Sequence, residues 1–489
     1  MRKTEGEGWQ FYLSIFFELQ EEQLPENISI MDNIIDIPSF KSNKDKSQNR
    51  DQNNYSLPKP EEILQKLIQY RTVNPPGNEK ECVKYISSLL TKAGFQTTLL
   101  AKDPTRPNLI TRLKGKGTAP ALLFYGHIDV VTTRDQKWTH PPFAGVIEDG
   151  YLWGRGALDM KGGIAMMLYS LLKAKKEGFE PAGDIVLAIV SDEEAGSDFG
   201  ARYLVDNYAE LFKDIKYAIG EFGGFSFYIG NKKFYPIQIA EKQVCWLKAT
   251  VHGNSGHGSF RFQNGSMSRM ATIISKLEKH RLPVHISAQA RQMILGIAKE
   301  LPQPKKMLFQ NLVWPHLTDT VLNVMGSKAR IFDSFLHNTV NPTIVNGGNK
   351  INVIPSKIEL QLDGRILPGY TPSDLISEIK NLVGNDIDFE VLRFDYCPVH
   401  SDMGMFELLS DILKEADPDG VPIPYLLNGY SDARLFSRLG IQTYGYLPMN
   451  LPDNFKFTKT IHGANERIPI DALYFGVDAL IQVLKRYRG

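Results

Sequence analysis

The sequence predicts an α/β fold, a mostly parallel sheet flanked by helices, interrupted by an inserted α+β domain. Short apolar runs of strand length, ALLFYG at 121–126 and DIVLAIV at 184–190, alternate with helix-patterned segments, the rhythm of parallel strands joined by crossovers. At 489 residues the chain exceeds one ordinary core, so two domains are expected.

Residues 1–57 read as a polar N-terminal extension, because KSNKDKSQNRDQNNY is too polar to bury a core. The apolar stretch WQFYLSIFFEL falls short of the roughly 18 to 20 residues a membrane-spanning helix requires. Glu5 and Glu7 spoil the basic start of a secretory leader, and acidic residues stand where small ones should mark a cleavage site. The organised part begins near Pro58. EEILQKLIQY and ECVKYISSLLTKAGF carry apolar residues at helical spacing, with Asn74-Pro75-Pro76-Gly77 as a break between them. GGIAMMLYSLLKAKKEG, between the two apolar runs, reads as a helix ending at Gly178.

From residue 242 the pattern changes. KQVCWLKATVHG, KINVIPSKIELQLDGRIL and DIDFEVLRF are strand-like, while MSRMATIISKLEKH and TPSDLISEIKNLVG are helix-like, which gives an α+β unit over 242–395. Within it, residues 281–345 show no regular pattern. The α/β rhythm returns with FELLSDILKEA, IQTYGYLP and IPIDALYFGVDALIQVLKRY, so the α/β domain takes residues 58–241 and 396–489.

A net charge of +1 gives no electrostatic reason to expect nucleic acid or a membrane surface as partner. Cys82, Cys245 and Cys397 are far apart, odd in number and form no C-x-x-C unit. They support neither a disulfide framework nor a thiolate metal site, and a reducing cytoplasm fits them.

The chemistry is carried by His127 in LLFYGHIDVV, Asp159 in GRGALDMKGG, Glu193 and Glu194 in IVSDEEAGSD, Glu221 in YAIGEFGG and His462 in IHGANE. His127, Glu193 and Glu194 fall at predicted strand ends, where the ligands of open α/β sheets gather. Imidazole and carboxylate without thiolate form a ligand set suited to hydrolytic zinc, and enough groups are present for two ions. A metal-dependent hydrolase follows. Each residue alone has an ordinary reading: a solvated Glu-Glu pair, a core histidine, a helix N-cap at Asp159. The ordered set argues for a site. His140, His280, His285, His316, His337 and His400 lie in no such motif and are read as structural or surface residues.

The succession GHIDVV, WGRGALDMKGG, SDEEAGS, GEFGG, HGNSGHGS, NVIPS, DGRILPG, SDAR and IHGANE resembles the M20 family of zinc metallopeptidases and amidohydrolases. The long stretch 281–345 is similar to the larger lids of its carboxypeptidase-S-like and N-acyl-amino-acid hydrolase members. The resemblance implies two zinc ions, with cobalt or manganese as substitutes: His127 and Glu221 on one, Glu194 and His462 on the other, and Asp159 bridging. Such a bridge offsets the repulsion of ions roughly 3.5 to 4 Å apart. It further implies that Asp129 fixes the His127 tautomer, that Glu193 is the general base, and that His257 stabilises the oxyanion, in some members from a neighbouring subunit. Asn352 and Arg365 resemble lid residues that bind the substrate carboxylate, a task suited to the planar arginine fork. Tyr430, in NGYSDAR, stands where the family's Gly-Gly-Thr-Asp pattern has its second glycine, and there it would narrow or cap the side-chain pocket. The implied activity is hydrolysis of an amide bond beside a free carboxylate, by a carboxypeptidase or dipeptidase or by an N-acyl-amino-acid amidohydrolase, with dimerisation through the lid. A non-catalytic binding protein on the same fold is the competing class.

Overall fold

The computed structural model describes residues 56–326 and 330–489, so most of the extension read at 1–57 lies outside the described residues. Up to residue 241 the chain forms α1 (Pro60–Gln69), α2 (Lys80–Lys92), β1 (Thr97–Leu100), β2 (Asn108–Leu113), β3 (Ala121–His127), β4 (Val146–Glu148), β5 (Tyr151–Trp153), α3 (Lys161–Lys176), β6 (Ile185–Val190), α4 (Ala201–Asn207), β7 (Ile215–Gly220), β8 (Phe227–Ile229) and β9 (Lys232–Glu241). There follow β10 (Gln243–His252), β11 (Gly256–His257), α5 (Ser266–Lys279), α6 (Ala288–Glu300), α7 (Lys305–Asn311), α8 (Pro315–Met325), α9 (Arg330–Leu336), β12 (Thr339–Gly347), β13 (Val353–Ile354), β14 (Lys357–Ile366), α10 (Pro372–Val383) and β15 (Asp388–Asp395). The chain closes with α11 (Phe406–Ala416), β16 (Gly420–Leu427), α12 (Ala433–Phe436), β17 (Gln442–Gly445), α13 (Phe457–Thr460), β18 (Arg467–Pro469) and α14 (Ile470–Arg486).

The fold is α/β. One large sheet runs β1-β2-β6-β3-β7-β17-β9-β16, with β8 paired to β9. Its centre, β6-β3-β7-β17, is parallel, while β2 joins β6 antiparallel. Strands β3 and β6 are buried along their whole length, as a sheet covered on both faces demands. On one face α3 lies between the sheet and the helices α1 and α14, which is why its sequence is apolar nearly all round. The other face is covered by α4 and α12 around Tyr125, Leu204 and Phe436.

A second, antiparallel sheet runs β12-β14-β10-β15. Burial alternates residue by residue along β14, the period of a strand with one covered face, and α5 and α10 supply the cover. The stretch with no readable pattern forms α6 to α9. These helices pack not on that second sheet but against Phe234 of β9 and Ile423 and Leu426 of β16, at the far side of the large sheet. Between β9 and β10 stands one residue, Lys242, which is buried. Its Nζ lies 3.0 Å from the carbonyls of Ser334 and His337 and 3.1 Å from Thr339 Oγ1. No helix among the described residues is long and apolar enough to cross a membrane.

Candidate active site

Parallel strands place the cluster. His127 is the last residue of β3, Glu193 and Glu194 open the loop after β6, and Glu221 directly follows β7, so adjacent carboxyl ends bring them to one sheet edge. Asp159 enters from the segment before α3 and His462 from the segment after α13. Asp159 does not cap α3: the cap position is Met160, and no side chain bonds there. Asp192, Phe222 and His462 all take positive φ (+70°, +70° and +58°), each next to or part of the cluster. Such backbone costs roughly 1–3 kcal/mol and persists only where surrounding contacts hold it. The loop after β6 is held tightly; a Cβ on Gly200 would sit 1.7 Å from the Ser191 carbonyl oxygen.

Asp159 spans the two imidazoles. Its Oδ1 is 3.1 Å from His127 Nε2 and its Oδ2 is 3.0 Å from His462 Nε2. At the same two nitrogens, Glu221 Oε2 lies 3.3 Å from His127 Nε2, and Glu194 Oε1 lies 3.3 Å from His462 Nε2. Glu193 joins the first half: one ligand atom each of His127, Glu193 and Glu221 fall within 4.8 Å of one another, as do those of His127, Asp159 and Glu194. Two donors each 2.0–2.1 Å from a tetrahedral zinc stand about 3.3 Å apart. His462 Nε2 and Glu194 Oε1 are shielded from solvent and stand 3.3 Å apart, the spacing of two atoms that share an ion. Carboxylates also outnumber imidazoles here, leaving negative charge that a cation balances. The donor set therefore fits a pair of divalent ions.

Burial pushes Glu193 well above the usual carboxyl range, and the charge of Glu221 adds to it. Burial likewise lifts Glu221 to about 7 against the pull of His127. Asp159 goes the other way. Burial opposes ionisation, but hydrogen bonds from His127 and His462 outweigh it and hold this carboxyl low.

Asp129 is buried and central. The His127 ring is oriented by the Asp129 carbonyl, 3.0 Å from Nδ1, which leaves Nε2 for the cluster; the Asp129 carboxylate is farther, at 3.5 Å. That carboxylate is engaged elsewhere: its two oxygens each accept a backbone N–H at 3.1 Å, one from Glu193 and one from Glu194. Sequence reading missed a matching hub in Glu466, although it closes the motif IHGANE. Its Oε1 accepts the N–H groups of Leu158 (2.8 Å) and Asp159 (3.2 Å), and its Oε2 pairs with Arg155 at 2.5 Å. Arg155 Nη2 in turn donates to the His462 carbonyl at 3.0 Å, so one buried ion pair ties both segments that carry the bridge.

Arg365 and Tyr430 meet across the two sheets: the guanidinium of Arg365 sits 4.9 Å from the Tyr430 ring centre, and that of Arg434 sits 4.4 Å from it. Arg365 Nε and Nη2 are engaged by Asp363 at 2.8 and 3.1 Å, while Nη1 is buried without a hydrogen-bond partner. Asp432, next to Tyr430's neighbour Ser431, is buried with neither carboxylate oxygen hydrogen-bonded. His257 and Asn352 lie together, since His257 pairs with Val353 across β11 and β13 and the Asn352 carbonyl accepts the Gly258 N–H at 2.9 Å. Both are exposed, and no hydrogen bond or ion pair among the described residues links them to the carboxylate–imidazole cluster.

The sequence profile described as Peptidase family M20/M25/M40 matches residues 123–486. A probable carboxypeptidase S-like 2 from Dictyostelium discoideum is 29% identical over 384 residues, covering 74% of this chain and 71% of that protein. The N-fatty-acyl-amino acid synthase/hydrolase of Homo sapiens is 28% identical over 385 residues, covering 76% and 75%. Among solved structures, an M20 family metallo-carboxypeptidase from Sulfolobus solfataricus superposes with a TM-score of 0.63 at 20% identity, covering 88% of this chain and 99% of its own.

Proposed function

The chain belongs to peptidase family M20/M25/M40 and is a metallohydrolase, and from that premise we propose that it cleaves an amide bond beside a free carboxylate in small peptides, as a carboxypeptidase or dipeptidase. The observation that carries the reading is the Asp159 carboxylate set between His127 and His462, with Glu221 at the same His127 nitrogen and Glu194 at the same His462 nitrogen. In this reading His127, Glu221, Asp159, Glu194 and His462 hold two zinc ions, which when bound supply Lewis acidity and lower the pKa of water. Residues 58–241 and 396–489 carry the site, and 242–395 form a lid.

Glu193 takes a proton from the attacking water and delivers it to the leaving amine, a role favoured by its place one residue from Glu194 on a loop anchored through Asp129. The free Nη1 of Arg365 pairs with the substrate carboxylate, while the Tyr430 ring braces that guanidinium. His257 donates to the developing oxyanion, and Asn352 joins Arg365 at the carboxylate. The lack, among the described residues, of any hydrogen bond or ion pair from them to the cluster, and the exposed apolar residues Phe260, Phe262, Ile351 and Val353 on the same segments, support delivery from a second copy of the chain in a homodimer. Free, buried Cys82, Cys245 and Cys397 favour a cytoplasmic setting.

N-acyl amino acids are the second reading, favoured by the synthase/hydrolase relative, whose match is nearly as long and as identical as that of the carboxypeptidase-like one. Both substrates put a carbonyl at the cluster and a carboxylate at Arg365. A panel of dipeptides and N-acyl amino acids, each free and carboxyl-amidated, presented to the zinc-loaded chain and read by mass spectrometry, separates them. Cleavage is expected only of free carboxylates. Equal cleavage of amidated partners would remove the clamp, and no cleavage of either class would remove the reading.

A further inference from the structure

Beneath the cluster lies a buried polar chain that begins far from any catalytic motif. Glu79 grips Arg106 with both oxygens, at 3.1 Å to Nε and 2.8 Å to Nη2. Arg106 Nη1 reaches Asp192 Oδ1 at 3.0 Å. Asn74 then donates from its one amide nitrogen to two carboxylates, Asp192 Oδ1 at 2.9 Å and Asp129 Oδ2 at 2.8 Å. All five side chains are buried. Asn74 cannot swing away, because its backbone N–H donates to the Val130 carbonyl at 2.9 Å and Val73 bridges Val130.

The two carboxylates belong to different loops. Asp129 follows β3 and Asp192 follows β6, and each is used to hold backbone. Asp129 accepts the N–H groups of Glu193 and Glu194, and Asp192 Oδ2 accepts that of Phe199 at 3.1 Å. Buried carboxylates this near repel unless a donor stands between them. One primary amide is the smallest uncharged group with two N–H bonds to give. A leucine would keep the volume and leave the pair unbridged.

We propose that Asn74 is a positioning residue for proton transfer: its amide clamps the loop after β3 to the loop after β6 and so fixes Glu193 against the cluster. The proposal rests on the reading of Glu193 as the general base. Asn74 touches neither the ligand atoms nor the substrate, and Arg106, held by Glu79, pairs with and steadies the Asp192 end.

The test is a double-mutant cycle in the full-length, metal-loaded chain. Asn74→Leu should lower kcat about 10- to 100-fold with KM changed less than about threefold. In a Glu193→Gln background the same change should cost less than about threefold, because the group it positions is gone. Asn74→Ser keeps one donor and should fall between the wild type and Asn74→Leu; it replaces the leucine variant in the cycle if that variant does not fold. Independently of turnover, hydrogen exchange of the peptide spanning 191–200 should speed up in Asn74→Leu while that over β17 stays unchanged. An equal loss in both backgrounds would mean general destabilisation and overturn the proposal, as would an unchanged kcat. Full activity of Glu193→Gln alone would instead sink the general-base reading, and the clamp with it.

Discussion

Adjacent glutamates end in different places here: Glu194 faces His462, whereas Glu193 gathers with His127 and Glu221. A proton-transferring carboxylate contributes typically about 10²- to 10⁴-fold, so with Glu193 as the proposed base Glu193→Gln should lose that much kcat while bound metal is retained. Metal analysis decides the matter; loss of an ion together with activity would make Glu193 a ligand. With Arg365 as the proposed clamp, Arg365→Met removes one charge-assisted hydrogen bond worth about 1.5–3 kcal/mol, so KM should rise by roughly one to two orders of magnitude with kcat little altered. Unchanged kinetics would take Arg365 out of the site. The residues legible in the sequence, His127, Asp159, Glu193, Glu194, Glu221 and His462, sit in short ordered motifs at strand ends. Asn74, Arg106, Arg155 and Glu466 were not read, because their work is done by pairing across the fold: Arg155 meets Glu466 from 311 residues away and Asn74 meets Asp192 from 118. Asn74 stood in plain view within Asn-Pro-Pro-Gly, where it registers only as a break in a helical pattern.

Elements with one strong periodicity are legible in the sequence, as β3, β6, α1, α2 and α3 illustrate: a short run of apolar residues or apolar residues at helical spacing leaves one solution. The helices α6 to α9 are not, since their apolar residues face β9 and β16, partners that no local pattern names. Ile294 of α6 is fully buried in that contact, and Ile294→Ala should cost about 2–5 kcal/mol of stability in denaturant titration. A loss under about 1 kcal/mol would mean that α6 does not depend on this seat. Lys242 gives the crossing between the sheets a pH signature. Burial, then the nearby charge of Arg365, lowers its pKa from 10.5 to about 7. Nζ donates to the carbonyls of Ser334 and His337 and to Thr339 Oγ1, yet burial outweighs these three acceptors. Between about pH 7 and 10.5 the unfolded chain thus binds a proton that the folded chain does not, so this group's contribution to stability rises with pH across that window and is flat beyond either end. The Tm of the wild type relative to Lys242→Met should climb from pH 7 to 10; a constant difference would show that the amine titrates normally.

At the scale of the whole molecule, the exposed His257 and the half-buried Arg365 stand apart on one lid sequence, which makes sharing between subunits a question of counting sites. Mixing His257→Ala protein with Arg365→Ala protein should restore up to about a quarter of the wild-type activity if each site draws these two residues from different chains, since a mixed dimer then holds one intact site. No recovery despite subunit exchange, verified by mass spectrometry, would mean that one and the same chain supplies both residues to a site. A single residue, Lys242, separates β9 from β10. A strand of ten residues is about 33 Å long, so a twist of about 10° at Lys242 would sweep the far end of β10 through about 6 Å. His257 rides just past that end. The crossing is therefore a fulcrum with a long arm: torsions too small to disturb the large sheet are geared up into displacements the length of an amino-acid side chain, delivered where His257 is carried.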